Sequence, residues 1–290
     1  MIYLIGSIVL TSWLTLAFKV VQRWRADTFQ AIVFNYIFCV VTGNVVHGRV
    51  LDYGHIVHIP WFGWACLMGT VFITLFNLIA ATTQRIGVAV ASVANKLSLV
   101  IPFIFSVVLY NEDLTILKIA GIVVALVAVV LTCYPKRKEP GHVRETWLYF
   151  LPVIVFIASG LLDTMIKYVE QGYLNESNQD EYLITAFSTA AALGTITLIV
   201  KLVSGSTRLT YKGVLAGIMI GVPNYFSIWC LLQVLKLYAG NSSAIIPINN
   251  MGIVLFSAVM AWLLFRERLL AINWLGILLA MGSIALIAYG

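Results

Sequence analysis

A lysine stands in the middle of an apolar run. Residues Gly87 to Gly121 read GVAVASVANKLSLVIPFIFSVVLYNEDLTILKIAG, and Lys96 lies near the centre of the part long enough to cross a bilayer. With a rise of about 1.5 Å per residue, some nine residues from the inner end of its helix, it sits ~13 Å deep. A charge at that depth costs about 3 kcal/mol or more, and such residues face a bundle interior or a water-filled cavity. Lys96 can grip a carboxylate or phosphate of a substrate, or gain and lose a proton; the plainer alternative is a structural ion pair. Asp163 is the matching acid, on a later apolar run and some 10 Å away in depth by the same rise. If the two pair, substrate or proton binding breaks the pair and drives a switch. If they do not, Asp163 is a proton carrier or a ligand for an ammonium group. A second layer of polar groups comes from the amides Asn95, Asn250, Asn249, Asn77 and Asn224, with Trp13 near the depth of Asp163 on the first run. Bonds between helices are the competing use for each amide, at only about 0.6 kcal/mol apiece.

The elements that must hold these groups are membrane helices. The 290 residues are 61% hydrophobic and 10% charged, against about 25% charged in a soluble domain. At about 20 apolar residues per crossing, the chain gives ten spans: 2–21, 29–46, 61–83, 88–109, 114–133, 147–169, 182–203, 213–236, 242–264 and 270–289. The first is read as a span rather than a cleaved signal, since no basic region precedes Ile2. The net charge of +6 reflects topology rather than nucleic-acid binding. Lysine and arginine gather after odd-numbered spans, among them Lys19, Arg25, Arg137, Lys201 and Arg266, and mark the cytoplasmic side. Both termini are then expected outside, in a bacterial cytoplasmic (inner) membrane. The cysteines Cys39, Cys66, Cys133 and Cys230 have no paired spacing and read as small hydrophobes. His47, His55 and His58 fall in a loop. No metal site and no cofactor is called for.

The chain also repeats itself. At an offset of 155 residues Ala89 falls on Ala244, Asn95 on Asn250, Leu109 on Leu264, Glu112 on Glu267 and Gly121 on Gly276. The halves are 1–134 and 147–290, joined by a basic linker over 135–146 that is expected in the cytoplasm. Five spans per half is odd, so the second copy must enter the membrane inverted. Inverted repeats are characteristic of secondary transporters, whose sites lie near the midplane. Pro102, Pro223 and Pro247 fall inside helices and predict kinks. Gly213, Gly217 and Gly221 form a small-residue face for close helix approach.

Taken together, the ten-span count, the inverted five-plus-five repeat and the pairs Glu112/Gly121 and Glu267/Gly276 resemble the drug/metabolite transporter superfamily, in its ten-helix EamA-like branch. The resemblance covers the whole length. It implies an all-α membrane protein of ten transmembrane helices in a 5+5 inverted-topology repeat. It also implies a central cavity lined by the first, third and fourth helices of each half, and export of amino acids or related compounds. One departure matters: Met251 stands where the repeat would place a second lysine, so the site is chemically asymmetric.

Neither a phosphate-cradling glycine loop nor a nucleophile elbow nor an HExxH pattern occurs in the sequence, so neither ATP hydrolysis nor metalloprotease chemistry is encoded. That leaves a carrier, a channel or an intramembrane enzyme, and the inverted symmetry, the kinks and the few central polar groups favour a carrier, not an enzyme. The expectation is a secondary transporter of a small zwitterionic metabolite working by alternating access. The runner-up is an exchanger of anionic metabolites gripped by Lys96, ahead of a channel or a static scaffold. Expected partners are the substrate, the lipid bilayer and a candidate coupling proton at Asp163, with no nucleic acid, in a monomer or homodimer.

Overall fold

Lipid offers no hydrogen-bond partner to a peptide group, so a chain this apolar must close its backbone bonds within each segment. It does so as helices. The computed structural model describes residues 2–48, 50–110, 115–132, 148, 150–175, 178–237, 242–267 and 269–289, and no strand occurs among them. The helices are α1 (Ile2–Arg23), α2 (Thr28–His47), α3 (Tyr53–Ile56), α4 (Phe62–Arg85), α5 (Val88–Leu97), α6 (Val100–Tyr110), α7 (Ile116–Thr132), α8 (Phe150–Tyr173), α9 (Gln179–Val203), α10 (Tyr211–Leu237), α11 (Ser242–Phe265) and α12 (Ala271–Tyr289). Among the described residues, eight segments are long and apolar enough to cross a membrane: α1, α2, α4, the stretch Val88–Phe105 that spans the α5–α6 junction, α9, and segments of α8, α10 and α11. This is the make-up of an integral membrane protein. The remaining two of the ten expected spans correspond to α7 and α12, which are apolar but shorter. The short α3 falls in a stretch the sequence reads as loop. Glu112 and the expected linker over 135–146 lie outside the described residues.

The chain forms two compact units, one of Met1–Lys19, Leu78–Leu161 and Ser227–Gly290, the other of Val20–Asn77 and Leu162–Phe226. Each draws on both sequence halves, so compactness follows a division different from the repeat.

The core of the first unit is built from small and branched residues. Ala89, Val93 and Leu97 of α5 meet Val254 and Ala258 of α11, with Ala125 and Ala128 of α7 and Ile277 and Ala280 of α12. Alanine and glycine let helix backbones approach closely, which in lipid supplies the dispersion contacts that water would not drive. The tightest approach is between α7 and α12. A Cβ at Gly121 would lie 2.7 Å from Ile287 Cγ1, and one at Gly276 would lie 2.6 Å from the backbone nitrogen of Thr132. The early part of each helix meets the late part of the other, so the two run antiparallel. The same offset that carries Gly121 to Gly276 carries Thr132 to Ile287, and the two contacts exchange under it.

Aromatic rings fill the second unit. Tyr36 of α2 is fully buried, 5.5 Å from the ring of Phe76, 6.1 Å from Phe187 and 6.5 Å from Phe72. On the other side of α2, a Cβ at Gly217 would collide with Phe34, and one at Gly221 would lie 2.5 Å from the carbonyl of Asn35. The glycines of α10 thus seat it directly on α2. Asp27 caps α2 by accepting the Gln30 N–H at 2.9 Å. The buried amide of Gln30 then ties α2 to the α9–α10 loop. Its Nε2 donates to Thr207 Oγ1 at 3.1 Å and to the Arg208 carbonyl at 2.8 Å, while Oε1 accepts from the N–H and hydroxyl of Thr210, each at 3.1 Å.

Gly121→Leu and Gly276→Leu should each lower stability by about 3 kcal/mol, because part of what a side chain would meet is backbone and cannot turn aside. Gly282 of α12 has nothing within 4 Å of an added Cβ, so Gly282→Leu should leave the melting temperature in detergent nearly unchanged. Equal shifts for the three variants would show that the α7–α12 approach is loose.

Candidate functional site

Proline has no N–H, and its ring collides with the carbonyl four residues earlier. For Pro102 that residue is Ser98. The span over 88–110 is accordingly split: α5 stops at Leu97 and α6 starts at Val100. The Ser98 carbonyl takes the Ile101 N–H at 2.9 Å instead, and the Phe103 N–H reaches Leu99 at 3.2 Å. The Ser98 hydroxyl turns back onto the carbonyl of Asn95. The kink expected at Pro102 is therefore an interruption one turn earlier, at Ser98–Leu99. At Pro223 and Pro247 the helices α10 and α11 are not interrupted.

The interruption gives α5 a C-terminus inside the span, and Lys96 lies in its last turn. A helix C-terminus carries a partial negative charge of about half a unit, which favours a cation there. Asn95 and Lys96 are both half-buried. One turn before Lys96 on the same row, Ser92 is buried and its Oγ has no hydrogen-bond partner among the described residues. Helix α11 packs against α5 and brings Asn249 and Asn250. Asn250 is half-buried; Asn249 is 3% exposed and its Oδ1 has no partner among the described residues. Met251, at the position the repeat matches to Lys96, packs on the apolar cluster that contains Leu97 and Val254. Trp13 packs with Leu16, Val88 and Ala261, and Ser12 on the same helix donates to the Ile253 carbonyl at 3.3 Å. In this unit α5, α11 and α1 thus hold Lys96, Asn95, Asn249, Asn250 and Trp13.

The other end of α5 is pinned by Glu267. Both carboxylate oxygens accept the Val88 N–H, at 3.3 and 3.1 Å, which caps the helix with a negative charge where its dipole is positive. Gly87, just before, has φ +149°, and a Cβ there would lie 3.1 Å from Glu267 Oε2. Lys19 of α1 stands 3.6 Å from the carboxylate and donates to the carbonyls of Thr83 and Gln84 at 3.3 and 3.4 Å. One acid therefore gathers the end of α1, the α4–α5 junction and the α11–α12 turn. It fixes α5, at whose far end Lys96 stands.

The second unit holds the rest. Asn224 donates through Nδ2 to Asn35 Oδ1 at 3.1 Å, and Cys39 donates to the Gly221 carbonyl at 3.3 Å. The Asn35 Nδ2 and Tyr36 hydroxyl are buried with no partner among the described residues. Asn77 spends its Nδ2 on the Ile73 carbonyl of its own helix, at 2.7 Å, so its amide is partly used locally. Asp163 of α8 is exposed. Lys96 and Asp163 belong to different units. The sequence reading passed over Asn35, Ser92 and Gln30; an asparagine at mid-span in α2 was the available signal for the first. Among the histidines, His47 lies on α2 with Nδ1 3.9 Å from Asp180 Oδ2.

No protein-family profile matches the chain. An uncharacterized protein of Haemophilus influenzae is 25% identical over 294 residues, which cover 99% of this chain and 97% of that protein. A solved crystal structure of a protein aligns with a TM-score of 0.61 and 16% identity, over 98% of this chain and 94% of that one. The likeness to that structure is one of fold alone.

Glu267→Ala removes the acceptor for Val88 and leaves Lys19 without its acid, and should cost about 2 kcal/mol, read as a lower melting temperature. Tyr36→Phe removes a buried hydroxyl that has no partner among the described residues, and should leave stability equal or raise it by about 1 kcal/mol. A marked loss of stability in Tyr36→Phe would mean that a water or ligand bonds that hydroxyl.

Proposed function

We propose that this protein is a secondary transporter that moves a small zwitterionic metabolite of the amino-acid kind by alternating access. The interruption of the membrane segment directly after Lys96 carries the reading. Discontinuous helices at mid-span are how secondary transporters present helix ends and freed backbone groups to a substrate. A continuous helix would keep those groups bonded to one another. Here the break coincides with an ammonium group, and Asn95, Asn249 and Asn250 lie on the two helices that pack beside it. In this reading Lys96 holds the substrate carboxylate, the asparagine amides of the same unit orient it, and Asp163 carries a coupling proton.

The proposed architecture is ten helices in two inverted five-helix repeats, of the EamA-like kind, in a bacterial cytoplasmic membrane with both termini outside. The exchange of the Gly121 and Gly276 contacts under one offset supports it. So does the antiparallel course of α7 and α12. Export is the proposed direction.

Proteoliposome flux tests the proposal. Lys96→Met should slow amino-acid flux about 10- to 100-fold, the worth of one charged hydrogen bond, and Asp163→Asn should slow it as well. Flux of organic anions that depends on Lys96 and tolerates Asp163→Asn would replace the zwitterion with an anionic substrate. Wild-type flux in Lys96→Met would remove the proposed site altogether.

A further inference from the structure

One end of the second unit is a basic face held in a fixed shape. The Gln30 bonds to Thr207, Arg208 and Thr210 join the start of α2 to the α9–α10 loop. Lys212 Nζ donates to the Trp24 carbonyl at 3.3 Å, which ties the α1–α2 turn to the start of α10. Lys201, at the end of α9, stands 4.1 Å above the ring of Phe29. These ties bring Arg23, Arg25, Lys201, Arg208 and Lys212 onto one end of the helices, and all five are exposed. Asp27 is the acid among them, and its oxygens are already used by the Gln30 N–H and by the Thr207 hydroxyl at 3.2 Å. Trp24 and Tyr211, 46% and 72% exposed, lie between the charges, and such aromatic rings settle at the level of lipid headgroups.

Arg25 adds a second observation. It ends α1 with φ +53°, while the next residue's N–H returns to the Val21 carbonyl at 3.1 Å. Glycine holds this kind of helix end with less strain. An arginine there costs local stability and gains an outward charge beside Lys212 and its neighbours.

We propose that this face binds the phosphate headgroups of anionic phospholipids at the membrane surface. Basic clusters beside membrane helices recognise such lipids through charge, with the aromatic rings anchoring the acyl boundary. The inference rests on the membrane-spanning character of the helices and is independent of transport.

The test titrates the full-length protein in neutral detergent with phosphatidylglycerol, phosphatidylcholine of the same chain length, or sodium phosphate. Native mass spectrometry reads binding and the melting temperature reads stabilisation. Phosphatidylglycerol should bind saturably and raise the melting temperature, and the other two should do neither. Arg208→Gln should weaken phosphatidylglycerol binding about fivefold. Arg25→Gly should weaken it similarly while leaving the melting temperature without lipid equal or higher. Arg85→Gln, at an exposed site of the other unit, should leave binding unchanged. Equal effects of the two lipids, a matching shift with phosphate, or equal weakening by Arg85→Gln would overturn the proposal.

Discussion

The missing N–H of Pro102 is the constraint on which the rest of the first unit turns. In hydrocarbon a backbone carbonyl must find a partner, and proline withdraws the one that Ser98 would have used. The chain answers by ending one helix and starting another inside the membrane. That gives α5 two ends with opposite tasks. Its N-terminus is clamped by Glu267 and, through it, by Lys19 of α1. Its C-terminus carries Asn95 and Lys96. A helix of ten residues is about 15 Å long, so the capping acid sets where the ammonium group stands.

The two units divide their polar chemistry in the same way. At two helix ends polar groups are saturated: Gln30 uses both sides of its amide, and Glu267 meets a backbone N–H and an ammonium group. At mid-span several have no partner among the described residues, as Ser92 Oγ, Asn249 Oδ1, Asn35 Nδ2 and the Tyr36 hydroxyl show. Unused hydrogen-bonding capacity in a low dielectric is costly where it stays dry. Gln30 and Glu267 fix the scaffold, and the buried polar atoms left without a partner among the described residues are where a polar visitor gains most.

The sequence made some of this plain. Long apolar runs became helices because no other local structure closes its own hydrogen bonds in lipid. Gly121 and Gly276, matched by the repeat, mark a real close approach, since only the smallest residue lets α7 and α12 meet. The break near Pro102 was legible in kind and misplaced by a turn, because the collision falls on the carbonyl of Ser98 rather than on the proline itself. Asn77 and Asn35 show the limit. Both are mid-span asparagines, yet one bonds its own helix and the other accepts from Asn224. A sequence gives height along a helix, and the partner depends on which neighbour faces it. The same limit applies to Lys96 and Asp163, whose assignment to separate units no spacing in the sequence gives.

The placement of Lys96 at a helix C-terminus also governs how strongly it can hold anything. The C-terminal end of α5 carries a partial negative charge, which offsets part of the field an arriving anion would meet at the ammonium group. Taking the lysine away would not leave a neutral spot either, because the partial negative charge of the helix end would remain and favour cations. Under the proposed transport reading, a damped positive charge would grip a carboxylate loosely, and a loose grip would let cargo taken up on one side go on the other.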